Sequence, residues 1–209
     1  MTRVPRLLAI SDPGERGGRS RYDALPAWLA ALAAAGVDGV QVREKHLGDR
    51  ELYAFARDAR AAWQGWLVVN ARLDVALAAG AAGVHLPADG VPIAPLRRRF
   101  GRSPVIGRST HDPDEVAAAR AAGADYVTFG PVFPTPSKAR FGPPAGLDGL
   151  RRAAAQGLPV VALGGIGPDD LPALAAAGAA GAAGIRAFHD PRQLERWTAA
   201  RRAAWPEDD

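Results

Sequence analysis

Eight short β-rich runs, separated by Ala-rich helical stretches, organise this chain from end to end. The runs fall at 7–11, 39–43, 67–70, 83–86, 105–109, 126–130, 160–163 and 180–185. Amphipathic helical stretches lie between them, among them 24–35, 49–63, 112–122 and 168–177. Strands alternating with helices through short connections specify a parallel sheet covered by helices. Eight such units in 209 residues predict closure into one α/β domain, a single (β/α)8 TIM barrel over 1–209 with a loose tail at 206–209. Four connections repeat one pattern: Ala35-Gly36-Val37, Ala79-Gly80-Ala81, Ala122-Gly123-Ala124 and Ala177-Gly178-Ala179. In each, glycine is expected to end the helix in a left-handed conformation just before the next strand.

A hydrophobic content of 48% is enough for one sizeable core. The absence of cysteine excludes a disulfide framework, a thiolate metal site and a cysteine nucleophile. No apolar run approaches the ~18 residues of a membrane span. The first residues, Met1-Thr2-Arg3-Val4-Pro5, run at once into a strand without the long apolar stretch of a secretory signal, so a cytoplasmic protein is expected. The net charge of +4 and pI of about 10.1 raise the question of nucleic acid. The arginines are scattered, however, and the runs at 97–99, 151–152 and 201–202 sit in helical segments, where charge reads as a solvated face. Neither a nucleic-acid nor a membrane partner is expected; homo-oligomerisation is left open. Lys45 and Lys138 are the only lysines and Asn70 the only asparagine, which suggests a specific requirement at each.

In such a barrel the carboxyl ends of the strands carry the chemistry. The second strand reads Val40-Gln41-Val42-Arg43-Glu44-Lys45, and alternation puts Gln41, Arg43 and Lys45 on the inward face. Inward cations need compensation, either by an anionic ligand or by a neighbouring carboxylate. Asn70 ends the third strand, as a site residue or as a turn residue. After the sixth strand, Gly130-Pro131-Val132-Phe133-Pro134-Thr135-Pro136-Ser137-Lys138 offers hydroxyls and a lysine in a long loop suited to cover an anion. The seventh ends in Leu163-Gly164-Gly165-Ile166, where backbone N–H groups can approach a phosphate, and the eighth leads to Arg186. No histidine spacing suggests a metal triad. His85 reads as a hydrogen-bonded core residue, and His111 as a proton carrier or simply a helix-start residue.

Taken in order, these motifs resemble the thiamine phosphate synthase/TenI superfamily. The resemblance covers nearly the whole chain. It rests on Ile10-Ser11-Asp12, Gln41-Val42-Arg43-Glu44-Lys45, Gly83-Val84-His85-Leu86, Ile106-Gly107-Arg108-Ser109-Thr110-His111, the stretch 125–138, and Leu163-Gly164-Gly165-Ile166. Thiamine phosphate synthases join an aminopyrimidine diphosphate to a thiazole phosphate with Mg2+, releasing pyrophosphate. The resemblance implies that Gln41 and Ser109 touch the pyrimidine. It assigns Arg43, Lys45, Asn70, Thr135, Ser137 and Lys138 to pyrophosphate, and Gly165 and the backbone near Arg186 to the thiazole phosphate.

The departures from the pattern are equally specific. Synthases carry Asp directly after the third-strand Asn, where this chain has Ala71; a second metal Asp matches Gly90, one place beyond Asp89. Loss of both acids resembles the TenI branch, whose activity is thiazole tautomerisation, a metal-independent proton shift. The TenI histidine after the sixth strand is Pro131 here, as in synthases, and the serine usual near the end of the eighth strand is Arg186. The resulting expectation is a metal-independent thiazole tautomerase acting on a small phosphorylated thiazole. Arg43 and Lys45 would hold its carboxylate, Gly164, Gly165 and Arg186 its phosphate, and His111 with Lys45 would serve catalysis. A thiamine phosphate synthase using Mg2+ and taking the phosphorylated pyrimidine is the alternative. A non-catalytic regulator that binds thiamine phosphates is a third reading.

Overall fold

The structure is a computed structural model that describes residues 4–12, 24–135 and 143–206. Its strands are β1 (Leu7–Ile10), β2 (Gly39–Val42), β3 (Trp66–Asn70), β4 (Gly83–Leu86), β5 (Val105–Thr110), β6 (Tyr126–Phe129), β7 (Val160–Leu163) and β8 (Gly181–Gly184). Each pairs in parallel with the next, and β8 pairs with β1, so the sheet closes on itself in chain order. The expected (β/α)8 barrel is therefore the observed architecture. Among the described residues the helices are α1 (Leu25–Ala34), α2 (Asp49–Ala62), α3 (Leu73–Ala78), α4 (Ile93–Phe100), α5 (Pro113–Ala122), α6 (Gly146–Ala154), α7 (Leu171–Ala176) and α8 (Pro191–Ala204). None is long and apolar enough to cross a membrane.

Strand alternation divides the core in two. Outward residues such as Val40, Val42, Leu67, Val69, Val127 and Phe129 pack beneath the helices. Inward residues Leu8, Ile10, Val105, Tyr126, Val161 and Ala183 fill the barrel axis. The Tyr126 ring needs Gly107 on the neighbouring strand: a Cβ there would lie 2.2 Å from Tyr126 Cζ.

All four repeated helix ends form the same closed turn. Gly36, Gly80, Gly123 and Gly178 have φ between 67° and 95°. The residue after each donates its N–H to a carbonyl five residues back, as in Val37 to Leu32 and Ala124 to Ala119. Local sequence thus sets how each helix hands over to its strand.

Three details depart from expectation. β2 ends at Val42, so alternation does not extend to Lys45, which is exposed in the following turn. The helix expected over 168–177 opens as a 3₁₀ turn, Pro168–Asp170, with the Gly167 N–H donating to the Asp170 carboxylate at 2.7 Å. Arg97, read as part of a solvated run, is only 12% exposed and ties down the lower face of the barrel. Of the expected loose tail, Pro206 follows the buried Trp205, and 207–209 lie outside the described residues.

Candidate active site

The carboxyl ends of the strands form the rim where the sequence placed the site. On β2, Gln41 is 2% exposed, and its amide Nε2 has no hydrogen-bond partner among the described residues. A buried amide donor without a partner costs about 1–3 kcal/mol unless something fills its valence. The donor therefore marks a place for an acceptor atom. Arg43 follows, its backbone N–H donating to Ser11 Oγ at 2.9 Å. Its guanidinium is 28% exposed and reaches Asp12 only at 4.0 Å, a contact that neutralises it weakly. Lys45 lies beyond the strand on the open side.

β3 ends at the half-buried Asn70, in register with His85 of β4. The next residue, Ala71, has φ 63°, the one positive φ outside glycine among the described residues. Its N–H donates to the His85 carbonyl at 2.9 Å, and Arg72 N–H turns back onto the Asn70 carbonyl at 2.8 Å. An alanine held in this conformation carries roughly 1–2 kcal/mol of strain.

Beneath the rim, His85 joins three strands. Its Nδ1 lies 2.9 Å from the Tyr126 hydroxyl, and its Nε2 lies 3.0 Å from Ser109 Oγ and 3.3 Å from Thr128 Oγ1. Burial, assisted by the charge of Arg108, pushes the imidazole pKa down to about 3. The ring is therefore neutral, with one nitrogen donating and the other accepting. Burial also raises the Tyr126 hydroxyl well above its ordinary value. The expected core role of His85 agrees with this arrangement. Its partners, Tyr126 and Thr128, carry no short-range sequence signal.

His111 stands at the end of β5, exposed, with its backbone N–H on the Glu115 carboxylate at 2.6 Å. Its ring Nδ1 hydrogen-bonds the Gly130 carbonyl, and since a carbonyl only accepts, Nδ1 carries the proton.

On β7, Gly164 (φ 100°) and Gly165 (φ 69°) are required for a reason the sequence did not reveal. The segment after β6 packs directly on them, with Val132 and Phe133 N–H donating to the Leu163 and Gly164 carbonyls at 3.0 Å. A Cβ on Gly164 would lie 2.7 Å from Pro131, and one on Gly165 would lie 2.6 Å from the Pro134 carbonyl. The glycines thus seat the loop that leads to Thr135, which is half-buried. Ser137 and Lys138 lie outside the described residues. Arg186 is exposed and opens a 3₁₀ turn, Arg186–His189, after β8. The strand ends thus bring Gln41, Arg43, Asn70 and Ser109 to one rim, with Gly164 and Gly165 on its β7 side. Of these expected residues, Ser109 is joined to the His85 network by a direct side-chain hydrogen bond.

The donor set can be weighed against Mg2+, which prefers oxygen ligands in near-octahedral array. Ala71 and Gly90 offer no side-chain oxygen. Among the described residues no three His, Cys, Asp or Glu side chains gather closely enough to hold an ion. These residues do not fit a carboxylate-anchored Mg2+. A cavity of about 350 Å³ adjoins β5, lined by Arg108, Ser109, Glu115 and alanines of α4 and α5.

Comparison with known proteins places the chain in a family. Residues 7–188 match the family described as thiamine monophosphate synthase. A putative thiamine-phosphate synthase of Geobacter sulfurreducens is 45% identical over 197 residues, covering 91% of each chain. The thiamine-phosphate synthase of Salinispora arenicola is 40% identical over 206 residues, 96% of this chain and 97% of that one. Among solved structures, a thiamine phosphate pyrophosphorylase from Pyrococcus furiosus superposes with a TM-score of 0.81 at 28% identity, covering 95% and 96% of the two chains. The chain belongs to the thiamine monophosphate synthase/TenI family.

Proposed function

We propose that this chain is a thiamine-phosphate synthase, the activity that Ala71 and Gly90 had placed second. The observation that carries the reading is identity of 40–45% to proteins named for that activity over more than nine-tenths of both chains. In the reaction the bond from the pyrimidine's methylene carbon to its diphosphate breaks. A bond from that carbon to the thiazole forms, and pyrophosphate leaves with the electrons of the broken bond.

The rim residues suit those demands. Gln41 and Ser109 face the place of the pyrimidine, where the unpartnered Gln41 donor would meet a ring acceptor. Arg43 and Lys45, with Asn70 and Thr135, would supply the cations and donors that developing negative charge on the leaving group needs. Ser137 and Lys138 would complete that set. The β7 glycines and Arg186 are assigned to the thiazole phosphate. Mg2+ belongs to this reading as a requirement to be measured, since the described carboxylates supply no anchor for it.

A second reading, thiazole tautomerisation, is favoured by His111. Its ring, anchored through Nδ1 on the Gly130 carbonyl, suits it to move a proton without a metal.

The test is an assay of the purified protein with aminopyrimidine diphosphate and thiazole phosphate, in Mg2+ and in EDTA. Mg2+-dependent formation of thiamine phosphate supports the synthase. No product, with proton-shifted thiazole phosphate formed from its isomer in EDTA and lost in His111→Ala, overturns it in favour of the tautomerase.

A further inference from the structure

Arg108 lies on the outward side of β5, between Ile106 and Thr110, and its guanidinium is spent on backbone carbonyls. Nη1 donates to the carbonyls of Pro87 at 2.8 Å, Ala88 at 3.2 Å and Gly90 at 3.2 Å. Nη2 donates to that of Val91 at 2.7 Å. Four carbonyls of the short β4–α4 connection thus converge on one planar cation. The Gly90 N–H closes the same turn on the Pro87 carbonyl at 2.9 Å.

Without that cation the connection has little to hold it. Ala88, Asp89 and Val91 are exposed. Carbonyls gathered at one point repel one another unless a positive charge lies between them, which is how a bound ion orders a loop. Partial burial disfavours the charge on Arg108, and Asp89 opposes that effect. The rigid fork of guanidinium suits several acceptors at once, whereas an ammonium is a point donor. The next residue, Ser109, turns inward to His85. Consecutive residues of β5 therefore fix the wall of the mouth and a hydroxyl of its floor.

We infer that Arg108 is a positioning residue that holds 87–91 as a preformed wall of the mouth. A wall ordered before the ligand arrives strengthens binding without touching the reacting atoms. Its loss is felt in substrate affinity and not in the chemical step. The kinetic part of this inference rests on the synthase reading; the ordering of the wall does not.

The experiment compares wild type with Arg108→Ala and Arg108→Lys. Hydrogen exchange at the Gly90 amide, held on the Pro87 carbonyl at 2.9 Å, is expected to quicken about tenfold or more in Arg108→Ala, while amides of β5 and β6 keep their protection. KM for aminopyrimidine diphosphate is expected to rise about tenfold with kcat within about threefold of wild type. Guanidinium chloride at millimolar concentration should lower the KM of Arg108→Ala and leave wild type unaffected, and Arg108→Lys should fall between the two. Unchanged exchange at the Gly90 amide, a uniform rise throughout the barrel, or a fall in kcat at constant KM would each overturn the inference. If the wild type forms no thiamine phosphate, the synthase reading fails and the exchange measurement alone decides the role of Arg108.

Discussion

Arg97 and Arg108 serve opposite faces of the barrel in opposite ways. Arg97, from α4, reaches the lower face. There it donates to the carbonyls of Gly123 at 2.7 Å and Pro104 at 2.8 Å and pairs with Asp125. Asp125 in turn accepts the Ile106 N–H at 2.7 Å, and Asp38 accepts the Arg6 and Leu7 N–H groups at 2.8 and 2.7 Å. These lower-face charges are matched within the chain and stitch strand starts to helix ends. On the upper face Arg108 hydrogen-bonds neutral carbonyls, Arg43 has its carboxylate at 4.0 Å, and Lys45 is exposed. A face that only has to keep the barrel closed can match its charges internally. The proposed function asks the upper face to keep cations such as Arg43 and Lys45 available for an anion.

The largest effect expected from testing this contrast lies between the faces, at His85. Its pKa is lowered in the folded protein from 6.5 to about 3, so below 6.5 the unfolded chain takes up the extra proton. Stability due to neutral His85 is complete above pH 6.5 and is lost as pH falls towards the folded value, at about 1.4 kcal/mol per pH unit at most. Urea unfolding between pH 7 and 4 should show this loss, and His85→Gln should flatten it. An equal slope in the variant would assign the loss to carboxylates.

Arg97→Ala is expected next, destabilising by about 2–4 kcal/mol, because the partly buried Asp125 keeps only the exposed Arg102, at 3.8 Å, as a cation. Activity per folded molecule should remain near wild type. A large loss of kcat there would break the division between faces. Arg43→Ala should do the reverse: thiamine phosphate formation should fall about 100-fold, with the unfolding midpoint hardly moved. Equal loss of stability in that variant would mean that Arg43 is spent internally after all. The smallest effect is at Ala71, where Ala71→Gly should stabilise by about 0.5–1 kcal/mol, since glycine adopts its φ of 63° freely. A destabilised variant would show that the turn is not strained.

Much of the scaffold was legible from short-range pattern. All eight strands lie within a residue or so of their expected positions, and the four glycine turns have the left-handed conformation that their spacing implied. Both rest on interactions within a few residues of each other. The site was proposed from the sequence as a place, the strand ends, and as a set of residue types. It was less legible as a set of contacts. Lys45 was expected inward by alternation, but β2 stops before it. Arg97 looked solvated because its acceptors on Gly123 and Asp125 are distant in sequence. Gly164 and Gly165 suggested phosphate, while their packing against Pro131 and Pro134 depends on a neighbouring strand's loop.

Hydrophobic alternation, helix-end glycines and the order of the motifs are properties of the chain read along its length. They were sufficient for the eight-unit barrel and for the family. Which carbonyls meet Arg108, which hydroxyls meet His85, and which conformation Ala71 must hold depended on packing β3, β4, β5 and β6 side by side in the barrel. Barrel closure brings together polar groups far apart in sequence, and the free energy of a hydrogen bond or ion pair depends on the partner and burial found there.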